Sequence, residues 1–316
     1  MRHRKNRHII PFFGLISQRH NCAAVSLADV TSANVVGYGN VALNDGSTMA
    51  GASFNKITDK ETSLTQIVPV GYLESSAYIG SKKTGCKGQI VLQILTPQGK
   101  VKTDANGDLM EFYWYHTAKS GKWNDDACWK QTKGGTLTTI TAENDIPFAA
   151  GQGMWIAVLS GWTETFAFQN AGEALLDAGT VPLADGSTAV VIPVSKDCLL
   201  TEVKPVGYLE SSAYIGSKKT GCKGQIVCQF LTPQGKVKTD ANGDLMEFYW
   251  YHTAKSGKWN DDACWKQTKD GTLTTITKEN APAIKMGQGL WVAVLSGWTD
   301  TFAVEGPGVD DAPAAE

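Results

Sequence analysis

Only two histidines lie beyond residue 28 of this 316-residue chain, His116 and His252, so any Ser-His-Asp triad has to use one of them. No Gly-x-Ser-x-Gly elbow accompanies either. Each closes a run of the type Met110-Glu111-Phe112-Tyr113-Trp114-Tyr115-His116, which reads as a strand ending on an aromatic face. Carboxylates cluster in two places. Asp104 and Asp108 flank Ala105-Asn106-Gly107 and precede Glu111, and the same residues recur as Asp240, Asp244 and Glu247. Oxygen-rich spacing of this kind makes a calcium loop possible, although the glycine and glutamate positions of an EF-hand are not met. A tight Asn-Gly turn with solubilising acids explains the same residues. Asp125-Asp126 and Asp261-Asp262 offer paired carboxylates for glycoside hydrolysis, but neighbouring residues of a strand point to opposite faces, so the pairing needs them to lie in a loop. No cofactor is otherwise indicated.

The aromatic residues suggest recognition rather than catalysis. In the run 110–116 a period of two puts Met110, Phe112, Trp114 and His116 on one face and Glu111, Tyr113 and Tyr115 on the other. The first set is expected to be core. The second, with its counterparts Glu247, Tyr249 and Tyr251, forms a polar-aromatic stripe suited to stacking on sugar rings, the glutamate accepting hydroxyl hydrogen bonds. The competing expectation is that these rings pack between sheets.

The elements that must carry these residues are repeated. Residues 69–141 and 205–277 align without gaps and are identical at 70 of 73 positions, differing only at Leu92/Cys228, Ile94/Phe230 and Gly134/Asp270. All ten tryptophans fall in matched positions. Short β-rich runs separated by turn signals every eight to twelve residues predict an all-β fold: two tandem β-sandwich or barrel-like domains from an internal duplication, at 29–170 and 171–306. Within the first, 89–96, 109–116 and 136–141 read as strands, and 154–159 is expected to pair with 164–169 across Ser160-Gly161-Trp162-Thr163. Only 63–67 reads as a helical turn.

The repeat also sorts the cysteines. Cys86 and Cys128 correspond to Cys222 and Cys264, whereas Cys198 and Cys228 occur in the second repeat alone. Two unmatched cysteines arising together suggest a bonded pair, so disulfides are expected at 86–128, 222–264 and 198–228. An oxidising compartment follows from that expectation. The order of residues 1–28, basic then apolar then small, agrees with an export signal or a mis-started leader. This segment holds five basic residues and no acid, so the formal charge of −2 hides a body of net −7 (24 basic against 31 acidic groups). An acidic body argues against a nucleic-acid partner, and no apolar run is long enough for a transmembrane helix. Residues 307–316 read as a disordered acidic tail.

Asn34-Val35-Val36-Gly37-Tyr38 after such a signal, together with Gly151-Gln152-Gly153-Met154-Trp155, resembles a loose group of uncharacterised secreted bacterial tandem β-domain surface proteins. The resemblance implies an extracellular or cell-surface β-protein and supplies no catalytic residues. The sequence thus points to a non-enzymatic binding or structural protein engaged in adhesion, glycan binding or surface assembly. Its partner would be a glycan or another surface protein, possibly itself. A secreted carbohydrate-active hydrolase using Asp125, Asp126 or Glu111 is the alternative.

Overall fold

Along the strand Glu111–Lys119, half-buried and buried residues alternate until Ala118, as a strand does when one face meets a core and the other meets solvent. Phe112, Trp114 and His116 are the buried set, and Glu111, Tyr113 and Tyr115 the half-buried one. The expected division of faces is therefore observed. The computed structural model describes residues 36–307 apart from 44–45, 52–55, 58–59, 75–84, 97–98, 149–150, 160–165, 174–178, 184–185, 193–195, 211–220, 233 and 296–301. The expected leader (1–28), and the expected tail (307–316) beyond its first residue, lie outside the described residues.

The protein is all-β, with antiparallel pairing throughout the described strands. In the first repeat the largest sheet runs, in spatial order, Thr136–Thr139, Cys128–Lys133, Glu111–Lys119, Gly85–Gln93, Gly153–Val158 and Gly46–Gly51. In the second repeat the order is Thr272–Thr275, Cys264–Lys269, Glu247–His252, Cys222–Gln229, Gly289–Val294 and Gly186–Val191. Each repeat adds a three-stranded sheet: Val36–Leu43, Phe166–Glu173 and Val68–Val70 in the first, and Thr180–Leu183, Phe302–Glu305 and Lys204–Val206 in the second. Two hydrophobic cores result. One is drawn from Leu43 through Phe168, the other from Val181 through Val304. The predicted helical turn at 63–67 is a single 3-10 turn, Leu64–Gln66, fixed by the Gln66 side chain accepting from the Ser63 amide at 3.1 Å.

Two expectations are corrected. The 153–158 and 166–173 strands do not pair with each other. The first is bonded to 46–51 and 85–93, the second to 36–43 and 68–70. The chain changes sheets between them, which is how one repeat closes two sheets over one core. The second correction concerns the disulfides: all six cysteines beyond Cys22 are free thiols. Cys86 is the register partner of His116 and Cys128 that of Tyr115, so their side chains leave opposite faces of the sheet. The 111–119 strand also lies between them. Two strand spacings amount to about 10 Å, beyond the roughly 7 Å that a disulfide spans between Cα atoms. The same holds for Cys222 and Cys264, beside His252 and Tyr251. Cys198 and Cys228 line the second core from different sheets, 4% and 1% exposed, and act there as small apolar residues. Burial pushes the thiols of Cys86, Cys198, Cys222 and Cys228 up to about 12, so they stay protonated and unreactive at neutral pH.

Candidate functional site

The outer face of each large sheet gathers the polar-aromatic stripe with residues from four other strands. In the second repeat Glu247 is the register partner of Gln229, and Gln229 that of Trp291. On the other side Thr268, next to Gln267 that faces Phe248, lies beside Glu247 and pairs with Leu273. One row across the sheet therefore reads Leu273, Thr268, Glu247, Gln229, Trp291. A second row carries Lys266, Tyr249 and Val227. The first repeat builds the same rows from Leu137, Thr132, Glu111, Gln93 and Trp155, and from Lys130, Tyr113 and Val91.

Hydrogen bonds set the carboxylate. The Tyr249 hydroxyl donates to Glu247 Oε1 and the Gln229 side-chain amide donates to Glu247 Oε2; Tyr113 and Gln93 do the same for Glu111. Accepting that hydroxyl, the carboxylate pushes the Tyr113 and Tyr249 hydroxyls up to about 12, with burial as the second cause. Each glutamate is thus a fixed acceptor with lone pairs to spare. Tyr115 and Tyr251 are placed differently from the expectation of a free stacking ring. The Lys130 ammonium lies 4.8 Å from the Tyr115 ring centre, and Lys266 lies 4.9 Å from that of Tyr251, a cation–π arrangement that covers the ring. The strand next to them bulges: register slips between Lys87 and Val91, at Gly88 with φ of 74°. An ideal Cβ there would sit 3.7 Å from both tyrosines, so glycine answers to the backbone angle and not to crowding.

A half-open hollow of about 250 Å³ borders this face in the second repeat, lined by Asp244, Leu245, Glu247, Tyr249, Thr268 and the backbone of Gly243 and Gly271. Leu245 is 52% exposed at its rim. The structure therefore brings together two predicted stripe residues, Glu247 and Tyr249, with Asp244 of the turn, and leaves Tyr251 outside the hollow. Sequence reasoning missed Leu245, Thr268, Gln229 and Trp291, because strand register decides who stands beside Glu247.

The other candidates are committed to structure. Asp104 Oδ1 accepts the amides of Asn106 at 2.9 Å and Asp108 at 3.1 Å, while Asp108 Oδ1 accepts that of Gly134 at 2.9 Å. Asp240 and Asp244 repeat this, with Asp270 as the last donor. These carboxylates shape a turn. Among the described residues no group of three or more His, Cys, Asp or Glu is placed to hold a metal. Asp126 is a loop lock. Partial desolvation works to raise its pKa, but the hydrogen bonds from the Thr117 hydroxyl and amide, with the Lys130 charge adding to them, outweigh it and hold the carboxyl below the usual range. His116 is 7% exposed, under Trp123 at 4.5 Å. Its Nε2 faces the Asn124 carbonyl at 2.8 Å, which can only accept, so Nδ1 accepts from the Tyr72 hydroxyl at 2.8 Å. Tyr72 in turn accepts from Trp114 Nε1 at 2.9 Å. Such a chain orients a core and leaves no lone pair for a nucleophile, and His252 repeats it with Tyr208 and Trp250.

No helix among the described residues is long and apolar enough to cross a membrane. No family model, curated protein or solved structure matches this chain.

Proposed function

We propose that the chain is a non-enzymatic, extracellular or cell-surface binding protein whose two tandem β-domains, products of an internal duplication, each present one site for a glycan. The observation that carries this reading is the outer-face row in both repeats: a half-buried tryptophan, an amide, a doubly anchored glutamate and a threonine in line, with a tyrosine beside them. Sugars are bound by such combinations of an apolar ring face and fixed hydroxyl partners. The row in the second repeat borders a hollow of about 250 Å³, enough for a chain end or one or two rings and too open to enclose a small metabolite. The extracellular part of the reading rests on the order of residues 1–28 and on the resemblance carried by residues 34–38 and 151–155, since the cysteines form no bonded pair.

A glycan array probed with the whole protein tests the reading, with Tyr113→Ala/Tyr249→Ala as the control. The expected outcome is saturable binding that the double substitution reduces at least tenfold while the fold is retained. A folded protein that binds no glycan, or binds equally well without both tyrosines, overturns it. One observation favours a second reading, polysaccharide hydrolysis: Asp244 and Glu247 border the same hollow, as a carboxylate pair must. Product release from a polysaccharide panel, lost in Glu247→Gln, would establish it.

A further inference from the structure

The Gly-Gln-Gly element at 151–153, and its repeat at 287–289, stand where the two repeats touch. Every contact there has a reciprocal. The Gly51 amide donates to the Gly287 carbonyl at 3.1 Å, and the Val191 amide to the Gly151 carbonyl at 2.9 Å. Ala50 bridges to Gln288 and Val190 to Gln152. An ideal Cβ on Gly289 would fall 2.2 Å from Met49 Cγ and 2.8 Å from the Met49 carbonyl carbon. One on Gly153 would fall 2.5 Å from the Ala189 carbonyl carbon. Val41 approaches the Gly287 position to 2.9 Å and Val181 the Gly151 position to 2.2 Å. Within each pair, the residues of the edge strand and of the glycine turn exchange roles between repeats.

That is the pattern of an isologous contact, in which one patch meets its own copy about a two-fold axis. Each patch combines the end of an edge strand (46–51 or 186–191) with the glycine turn that opens the neighbouring strand. The glycines at 153 and 289 are demanded by space. Neither has a left-handed φ, and a side chain on either would strike the other repeat.

We infer that this corner is a self-complementary docking surface whose partner is a second copy of the same unit, and that the chain satisfies it internally by carrying two. The consequence is specific. If one patch is spoiled, the intact patch of the other repeat is left exposed and joins its equivalent on another chain. Second-repeat patches fit each other on these terms, because Ala189 would pack on Gly289 as it now packs on Gly153, and Val181 on Gly287 as on Gly151.

Size-exclusion chromatography with light scattering on three full-length variants tests this. Gly153→Val and Gly289→Val place a good strand former where the nearest obstruction is the other repeat. Each single variant is expected to show a concentration-dependent doubling of mass relative to wild type. The double variant Gly153→Val/Gly289→Val, with both patches spoiled, is expected to keep the wild-type mass. Far-UV circular dichroism establishes that the variants are folded. Should Gly153→Val or Gly289→Val not fold, Ala189→Asp blocks the second patch from its edge-strand side without touching either glycine, and is expected to double in mass through first-repeat patches. Folded single variants that keep the wild-type mass overturn the inference. So does a double variant that associates as the single ones do, since another surface would then be responsible.

Discussion

At the scale of single residues, the buried polar chain Trp114–Tyr72–His116–Asn124 shows how the aromatic content of this protein is used. Each member has one donor or acceptor role that the next completes. Tyr72 is 2% exposed, and burial pushes its hydroxyl well above the ordinary tyrosine value, so it donates and is not ionised. Tyr72→Phe keeps the ring but leaves Trp114 Nε1 and His116 Nδ1 facing no hydroxyl. A buried polar atom without its partner costs about 1–3 kcal/mol, so the substitution is expected to destabilise the first core by roughly 2–4 kcal/mol in urea unfolding, and Tyr208→Phe the second core alike. A loss below about 0.5 kcal/mol would mean that water replaces the hydroxyl and that the chain does not orient the core. From the sequence, the inward face of His116 was legible because alternation alone fixes the face, although its strand does not end there but runs on to Lys119. Its partner Tyr72 was not legible, being 44 residues away in a 3-10 turn that no periodicity announces.

At the scale of elements, two of the three differences between the near-identical segments belong together. Cys228 has no cysteine counterpart in the first repeat, and that alone makes it read as half of a disulfide. It stands instead where the first core has Leu92, two residues from Phe230 where the first core has Ile94. All four side chains are core residues. A smaller residue at one position is matched by a larger one at the other on the same strand face, and Phe230 meets Phe248 edge-to-face at 5.7 Å. The exchange is partly compensating, the larger ring taking up some of the space the cysteine leaves, and cores tolerate such paired changes better than either half. A double-mutant cycle follows. Cys228→Leu alone is expected to overpack and cost about 1–3 kcal/mol, and Phe230→Ile alone to cost about 1–3 kcal/mol through the space it leaves. Together they restore the Leu–Ile pair of the first core and are expected to recover part of both losses. Strictly additive losses in chemical unfolding would show that the two sites do not share space. Fold class, strand positions and inward faces were legible because they follow from local alternation and turn residues. Sheet membership of 153–158 and 166–173 was not, since pairing depends on which edges are already occupied. For the same reason the row Leu273–Thr268–Glu247–Gln229–Trp291 appears only once register is known.

At the scale of the whole molecule, the junction ties the two outer faces to one another through strands that continue directly into them. Met49, which packs on Gly289, is the register partner of Trp155, and Ala189, which packs on Gly153, is that of Trp291. The two outer-face rows therefore end at the same junction, which backbone hydrogen bonds hold together. Two sites fixed in this way reach a repeated ligand at a high effective concentration, and avidity can exceed the single-site affinity by about 10²–10⁴. If each row binds one glycan, Tyr113→Ala is expected to behave differently in two assays. Against a short oligosaccharide in solution it halves the stoichiometry and leaves the remaining affinity unchanged by calorimetry. Against a dense polysaccharide surface it slows nothing in association but shortens residence by about a hundredfold, and Tyr249→Ala does the same. The junction variant Gly153→Val/Gly289→Val separates the causes, because it keeps both rows and loses only their fixed relation: oligosaccharide stoichiometry stays at two while surface residence falls. Equal residence times for wild type and either tyrosine variant would mean that the rows act singly, and that the duplication serves assembly rather than avidity.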